Sequence, residues 1–516
     1  MQHRFATDIF SPYLTKIYTL LIPKSTRTRY AAAKKEPLTT CKFSCLLTIM
    51  KKEFKKTEKA AESDKLKSGQ IIDIAVSALD EEGYGVGDYE GMPVLATGVL
   101  PGEEARVKVT FTGRRVSFAE TVKILRHTPS RLKTPPCDKA AICDGCPLIQ
   151  MKYPAQLAWK TELVERKIRR YRSLSKAEIH HTIPSPKPLH YRNSAKLVVA
   201  GKFAAPLIGI YRRNSHEVID IGNCPLHHPL INKVVQAVKE GIKKGKVPIY
   251  SARTGNGILR YLVVRISEME NRAMVILVTA QRSYNEIHHL AKHLQSVVPE
   301  ASIIAQNVNG SAGNAILGEK DYFITKERAF MDSVGPIRFS ISPRSFFQVN
   351  GGGAQIIYEK VREWGELTGR EAVIDLYCGI GGISLYLATG AKDVLGIEAV
   401  TAAVTDAENN ARINGIRNCR FEAGDAAELL SRIQEKQDKF DLIVLNPPRK
   451  GCDERVLASV ASLAPARVIY VSCSPQTLAR DLDILSGHGY RTLEIQPVDM
   501  FPQTPHVENV ALLVKD

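Results

Sequence analysis

The chain has 516 residues, 44% hydrophobic and 24% charged, with a formal net charge of +17. That length exceeds a single hydrophobic core and implies about three domains. The ordinary apolar content excludes a disordered or fibrous chain, and no run reaches the roughly 18 apolar residues that a membrane span needs. The charge points to a polyanionic partner such as nucleic acid. It is unevenly placed, because residues 1–67 hold 15 Lys/Arg against 6 Asp/Glu. Ten cysteines without an evenly spaced disulfide framework suit a reducing compartment, so a cytoplasmic protein is expected.

Residues 1–67 show no sustained period and read as a basic, disordered extension. Two alternatives stand beside that reading. One is an organellar transit peptide, since acids are scarce before Met50; the other is a natural start at Met50. Leu46–Met50 is too short an apolar run for a secretory signal.

Residues 68–127 change character. Short apolar runs at about 8- to 12-residue spacing, separated by glycine-rich turns, predict a small five-stranded barrel. The turn Gly83-Tyr84-Gly85 and the segment Val99-Leu100-Pro101-Gly102-Glu103 resemble a TRAM domain, an RNA-binding barrel of oligonucleotide-binding type.

Residues 128–340 read as a mixed α+β domain. It opens on Cys137-x5-Cys143-x2-Cys146, and Cys224 follows much later. Three thiols so close together fit ligation of an iron–sulfur cluster or of zinc. With His227 and His228 beside Cys224, spacing alone does not separate the two. Apolar runs over 196–201, 260–266 and 273–280 predict strands, 206–222 predicts a hairpin turning at Arg212–Asn214, and 155–171, 230–244 and 286–298 predict helices.

Residues 341–516 carry the chemistry. The loop Arg344-Ser345-Phe346-Phe347-Gln348-Val349-Asn350 sets two aromatics beside polar groups, suited to stacking and edge recognition of a base. Ala372–Leu376 is a strand running into Tyr377-Cys378-Gly379-Ile380-Gly381-Gly382, and the next strand ends at Glu398. Glycines let backbone approach a ligand closely, and an acid at the second strand end can hold ribose hydroxyls. This Gly-Ile-Gly-Gly form suits S-adenosylmethionine better than a dinucleotide. Two more apolar strands stop at Asn446-Pro447-Pro448-Arg449 and at Ser472-Cys473-Ser474-Pro475. The alternation predicts an α/β, doubly wound, Rossmann-like sheet, with a polar Asn and a free thiol over its carboxyl edge.

Together these residues resemble the RNA uridine-5-methyltransferase family, specifically its 23S rRNA branch with a TRAM domain and a 4Fe–4S cluster. The matching motifs are Cys137/Cys143/Cys146/Cys224, Phe347-Gln348-x-Asn350, Asp375–Gly381, Asn446–Gly451, Ser472–Pro475 and His506-x-Glu508. The resemblance implies S-adenosylmethionine contacts at Gln348, Tyr377, Glu398 and Asn446, and cluster ligation by the four cysteines. Cys473 is the implied nucleophile and Glu508 the implied general base. Phe346 and Arg449 are expected to touch the RNA. Asn446 stands where many members have an acid, and Gly382 where some have a polar side chain. The expected partner is ribosomal RNA, with transfer RNA second; no membrane and no obligate protein partner are indicated. A catalytically idle RNA-binding or assembly factor is the rival from another class. An amino-group methyltransferase would want an aromatic at Arg449, and a cytosine-5 enzyme a cysteine at Pro447 or Pro448.

Overall fold

The computed structural model describes residues 66–516 apart from Asn214, Ala312 and Asn314. The extension expected over 1–67 thus lies almost wholly outside the described residues.

Five strands close into a barrel in the order β1-β2-β3-β5-β4. They are β1 (Ile71–Leu79), β2 (Gly85–Tyr89), β3 (Met92–Thr97), β4 (Glu104–Thr112) and β5 (Ser117–Arg126). Period-two alternation turns Ile72, Ile74 and Val76 of β1, and Ala105, Val107 and Val109 of β4, inward. Gly83 holds a left-handed turn, and a Cβ there would come within 2.7 Å of Pro147. Glu103 is fully buried. It accepts from the Leu100 amide (2.9 Å) and, along one edge of the Arg131 guanidinium, from Nε and Nη2 (2.6 and 2.7 Å). A buried carboxylate needs such a partner, and this one ties the barrel to the segment that follows.

That segment begins with α1 (Tyr153–Ile168) and the two-residue β6 (Glu178–Ile179). A seven-stranded sheet comes next, built from β7 (Ser194–Lys202), β8 (Ala205–Tyr211), β9 (Val218–Asp220), β10 (Leu259–Ser267), β11 (Arg272–Thr279), β12 (Ile303–Val308) and β13 (Lys320–Phe323). Its order is β13-β12-β11-β10-β7-β8-β9. Helices α2 (Pro229–Gly245) and α3 (Asn285–Val297) supply the apolar residues that cover one face. The hairpin β14 (Phe330–Val334) and β15 (Ile337–Ile341) follows.

The C-terminal layer runs α4 (Gly351–Gly365), β16 (Ala372–Leu376), α5 (Gly382–Ala388), β17 (Asp393–Glu398), α6 (Thr401–Ile413), β18 (Cys419–Ala423), α7 (Ala426–Glu435), β19 (Leu442–Leu445), α8 (Glu454–Leu463), β20 (Arg467–Ser472), α9 (Pro475–Gly487), β21 (Tyr490–Val498) and β22 (Glu508–Lys515). Its sheet order is β18-β17-β16-β19-β20-β22-β21-β6. The first five strands are parallel, and β22 runs antiparallel to β20. Strand order reverses between β16 and β19, which opens a crevice at their carboxyl ends.

Two elements of the 128–340 segment join this layer. Helix α1 buries Val164 and Ile168 in the same core as Ile374, Ile443 and Tyr470, and β6 pairs beside β21 through Ile179 and Ile495. The hairpin β14–β15 likewise buries Phe330 and Phe339 in the core that holds Tyr358 and Trp364 of α4. An amphipathic helix and an open strand edge each need cover, and the sheet supplies it. A buried ion pair, Lys160 Nζ to Asp499 Oδ1, fixes α1 to the loop that precedes β22. No helix among the described residues is long and apolar enough to cross a membrane.

Candidate active site

The end of β16 turns over β17. The amides of Tyr377 and Cys378 both donate to the Ile397 carbonyl (2.9 and 3.1 Å). Tyr377 sits at φ +63°, in the left-handed region that side chains rarely adopt. Glu398, at the end of β17, accepts from the Gly379 amide (3.1 Å) and the Val400 amide (3.0 Å). The Asn446 amide donates to the Leu376 carbonyl (3.2 Å), closing the turn after β19 against β16. Tyr377 also shares a hydrogen bond with the Cys452 thiol. Tyr377, Glu398 and Asn446 therefore share one crevice.

Beneath them Asp375 is fully buried. Its Oδ2 accepts from Ser384 Oγ (2.5 Å), but its Oδ1 has no partner. Burial pushes this carboxyl up to about 7. An orphaned buried carboxylate oxygen fits a cationic ligand such as S-adenosylmethionine.

Gln348 reaches the same turn through a residue that the sequence did not flag. Its side chain hydrogen-bonds Tyr358 of α4, while its backbone carbonyl accepts from Asn193 Nδ2 (3.0 Å). A Cβ at Gly382 would stand 2.4 Å from the Tyr358 hydroxyl, so that hydroxyl fills the space a side chain at 382 would need. Tyr358 is invisible to motif reading because it lies on the buried face of an ordinary amphipathic helix.

The reacting end of the crevice follows from register. Ser472 of β20 pairs with Asn509 of β22 in antiparallel sense, so Cys473 and Glu508 are the next opposed residues. Burial raises the Cys473 thiol, and the neighbouring Glu508 raises it further; the Arg449 guanidinium, hydrogen-bonded to it, pulls it back. Burial pushes Glu508 up to about 7, again opposed by Arg449. Arg449 also stands 3.4 Å from His506 Nε2. Its loop is pinned from α9: Thr477 Oγ1 donates to the Arg449 carbonyl (3.2 Å), and Arg480 donates to the Lys450 carbonyl (3.1 Å). Fully buried Asp481 accepts from the Cys452 amide (2.8 Å) and the Tyr470 hydroxyl (2.5 Å).

Phe346 is 70% exposed, whereas Phe347 packs on Phe339 with ring centroids 5.6 Å apart. One aromatic of that loop is thus core and the other is free to meet a ligand.

Cys137, Cys143, Cys146 and Cys224 line one cavity of about 310 Å3, and all four are free thiols. Burial raises Cys143, Cys146 and Cys224, with smaller raising effects from cysteines of the same group. Among the described residues no three Cys, His, Asp or Glu side chains are drawn in far enough to hold a single metal ion. His228 caps α2 by accepting from the Leu230 amide (3.3 Å). His227 does not line the cavity, and burial lowers its imidazole to about 4.

A sequence model of the family described as tRNA (uracil-5-)-methyltransferase matches residues 152–516, and a TRAM domain model matches 65–122. An uncharacterized RNA methyltransferase of Geobacter sulfurreducens is 63% identical over 449 residues, covering 87% of this chain and 91% of its own. One from Caldanaerobacter subterraneus is 38% identical, over 87% and 99% of the two chains. The crystal structure of Pyrococcus abyssi tRNA (uracil-54, C5)-methyltransferase with S-adenosyl-L-homocysteine superposes with a TM-score of 0.70 at 27% identity. That superposition covers 86% of this chain and 100% of the other.

The contact between Tyr358 and Gly382 is directly testable. Gly382→Ala is expected to weaken S-adenosylhomocysteine binding in calorimetry, because the methyl group meets the hydroxyl, and Tyr358→Phe in the same chain should recover part of the loss. A double variant no better than Gly382→Ala would show that the hydroxyl is not the obstacle.

Proposed function

The chain belongs to the tRNA (uracil-5-)-methyltransferase family, whose members are S-adenosylmethionine-dependent RNA methyltransferases, and on that footing we propose that it methylates carbon 5 of a uridine in 23S ribosomal RNA. The observation that carries the uridine-5 chemistry is that Ser472 pairs with Asn509, so Cys473 and Glu508 come next to each other, with Glu508 close enough to raise the thiol.

Carbon 5 of uracil is a weak nucleophile until carbon 6 is attacked. The Cys473 thiolate adds to carbon 6, and carbon 5 gains enolate character. S-adenosylmethionine, when bound, supplies the methyl group, with Gln348, Tyr377, Glu398 and Asn446 holding the cofactor and Glu398 on its ribose. Glu508 then takes the proton from carbon 5, and the C6–S bond breaks to free Cys473. A carboxyl pushed up to about 7 is well matched to that task near neutral pH. Exposed Phe346 stacks the extruded uridine, and Arg449 contacts the RNA beside Cys473.

The four cysteines fit a 4Fe–4S cluster. Thiolates are the usual ligands of such a cluster, and these four line one cavity. The cluster has no step in the methylation, so its place is in folding or RNA positioning. Protein purified without oxygen should contain iron and acid-labile sulfide, lost in Cys146→Ser; zinc alone in the site would overturn the assignment.

A transfer-RNA target is the second reading, favoured by the likeness to the Pyrococcus abyssi enzyme. Release of tritium from RNA carrying 5-tritiated uridine tests both readings, with 23S rRNA fragments and tRNA as parallel substrates. Release is expected from rRNA, and to vanish in Cys473→Ala; release from tRNA alone would transfer the assignment. Both Cys473 and Glu508 act deprotonated; Glu508 is pushed up to about 7 and the thiol above its ordinary range, so the rate should start to rise near pH 7 and keep rising on the alkaline side without levelling at neutrality. Arg449 pulls both down, so Arg449→Gln should slow the reaction and move that limb to higher pH. An unmoved limb would remove Arg449 from this role.

A further inference from the structure

The seven-stranded sheet buries a cation that has no salt bridge among the described residues. On β7 and β10 the residues Leu197, Leu262 and Val264 point toward α2 and α3, so period-two alternation puts Lys196, Val263 and Arg265 on the opposite face. Register makes Lys196 and Arg265 near neighbours there, with Lys196 opposite Val263 and Arg265 opposite Ser194. Arg265 is only 8% exposed, and its Nε has no hydrogen-bond partner. Among the described residues no carboxylate forms a salt bridge with it. Burial alone lowers its guanidinium to about 10, and Lys196, although its side chain reaches solvent, is lowered by partial desolvation against the sheet and by Arg265.

Buried arginines are normally paired, since an uncompensated charge in a protein interior is costly. Two like charges side by side make the cost larger. Both are relieved by an anion that arrives with a ligand. The position says which ligand. Asn193, immediately before β7, donates its backbone amide to the Val349 carbonyl (3.0 Å) and its side chain to the Gln348 carbonyl (3.0 Å). The two cations therefore adjoin the loop that carries Phe346. Half-buried Tyr261 lies on the same strand face, and Tyr211 on β8 is 43% exposed; both are suited to ribose or base contact.

We propose that Arg265 and Lys196 form a binding site for a backbone phosphate of the RNA, flanking the target uridine. The guanidinium's planar fork matches two phosphate oxygens, and the lysine adds a point charge. The site rests on the reading of the substrate as RNA, but not on which RNA.

Fluorescence anisotropy with labelled 23S rRNA fragments and a tRNA transcript, titrated across salt, tests it. Arg265→Gln and Lys196→Gln should each bind several-fold more weakly, with the slope of log affinity against log salt shallower by about one. S-adenosylhomocysteine affinity should stay as in the wild type. Lys196 is exposed, so its variant carries the test even where Arg265→Gln fails to fold. RNA affinity and salt slope unchanged in Lys196→Gln would overturn the proposal. So would lost S-adenosylhomocysteine affinity in a folded Arg265→Gln, which would assign the arginine to a cofactor carboxylate. Failure of the wild type to bind any of these RNAs would instead bring down the RNA reading itself.

Discussion

One reversal of strand direction governs the catalytic end of this protein. Five parallel strands bring their carboxyl ends to one edge, and a sixth parallel strand would have delivered only another loop there. β22 runs the other way, so its first residue, Glu508, arrives at that edge already opposite Cys473. Backbone hydrogen bonds between β20 and β22 thus set a carboxylate against a thiol without relying on loop flexibility. Burial raises both groups, the nearby Glu508 raises the thiol further, and Arg449 opposes the shift of each.

The two segments that flank the pair are immobilised by buried polar groups. Ahead of Glu508, Asp499 is held by Lys160, Gln503 exchanges hydrogen bonds with Gln156, and the Pro502 carbonyl accepts from Tyr191. Those partners come from α1 and from the chain leading into β7, which is why the 128–340 segment and the C-terminal layer share a core. On the other side Asp481, Arg480 and Thr477 of α9 hold the loop of Asn446 and Arg449. Removing one partner of a fully buried pair leaves an uncompensated charge costing about 3–5 kcal/mol, so Lys160 and Asp499 support the site from a distance.

Much of this is legible in the residues. Apolar β-branched runs that stop at Asn446-Pro447-Pro448 and at Ser472-Cys473 announce parallel strands and their edge, because paired prolines end a ladder. Glu103 in the VLPGE segment finds its reason in the buried fork with Arg131. Other features leave no linear trace. A two-residue strand such as β6 is below any period, and its pairing with β21 is a tertiary event. Tyr358 touches Gly382 only after α4 packs on the sheet. Arg265 reads as one more strand residue until the fold buries it with no salt bridge among the described residues. The convergence of Cys224 on Cys137, Cys143 and Cys146 depends on the fold between them, which spacing does not encode.

The central claim is that Cys473 forms a covalent bond to carbon 6 of uracil, and 5-fluorouridine tests it most directly. Fluorine cannot leave carbon 5 as a proton, so the reaction stalls with protein and RNA joined. Protein incubated with S-adenosylmethionine and 5-fluorouridine-substituted 23S rRNA fragments should run on a denaturing gel as an adduct that is absent in Cys473→Ala. A folded, cofactor-binding protein that gives no adduct on rRNA or tRNA, or an adduct that survives Cys473→Ala, would contradict the account.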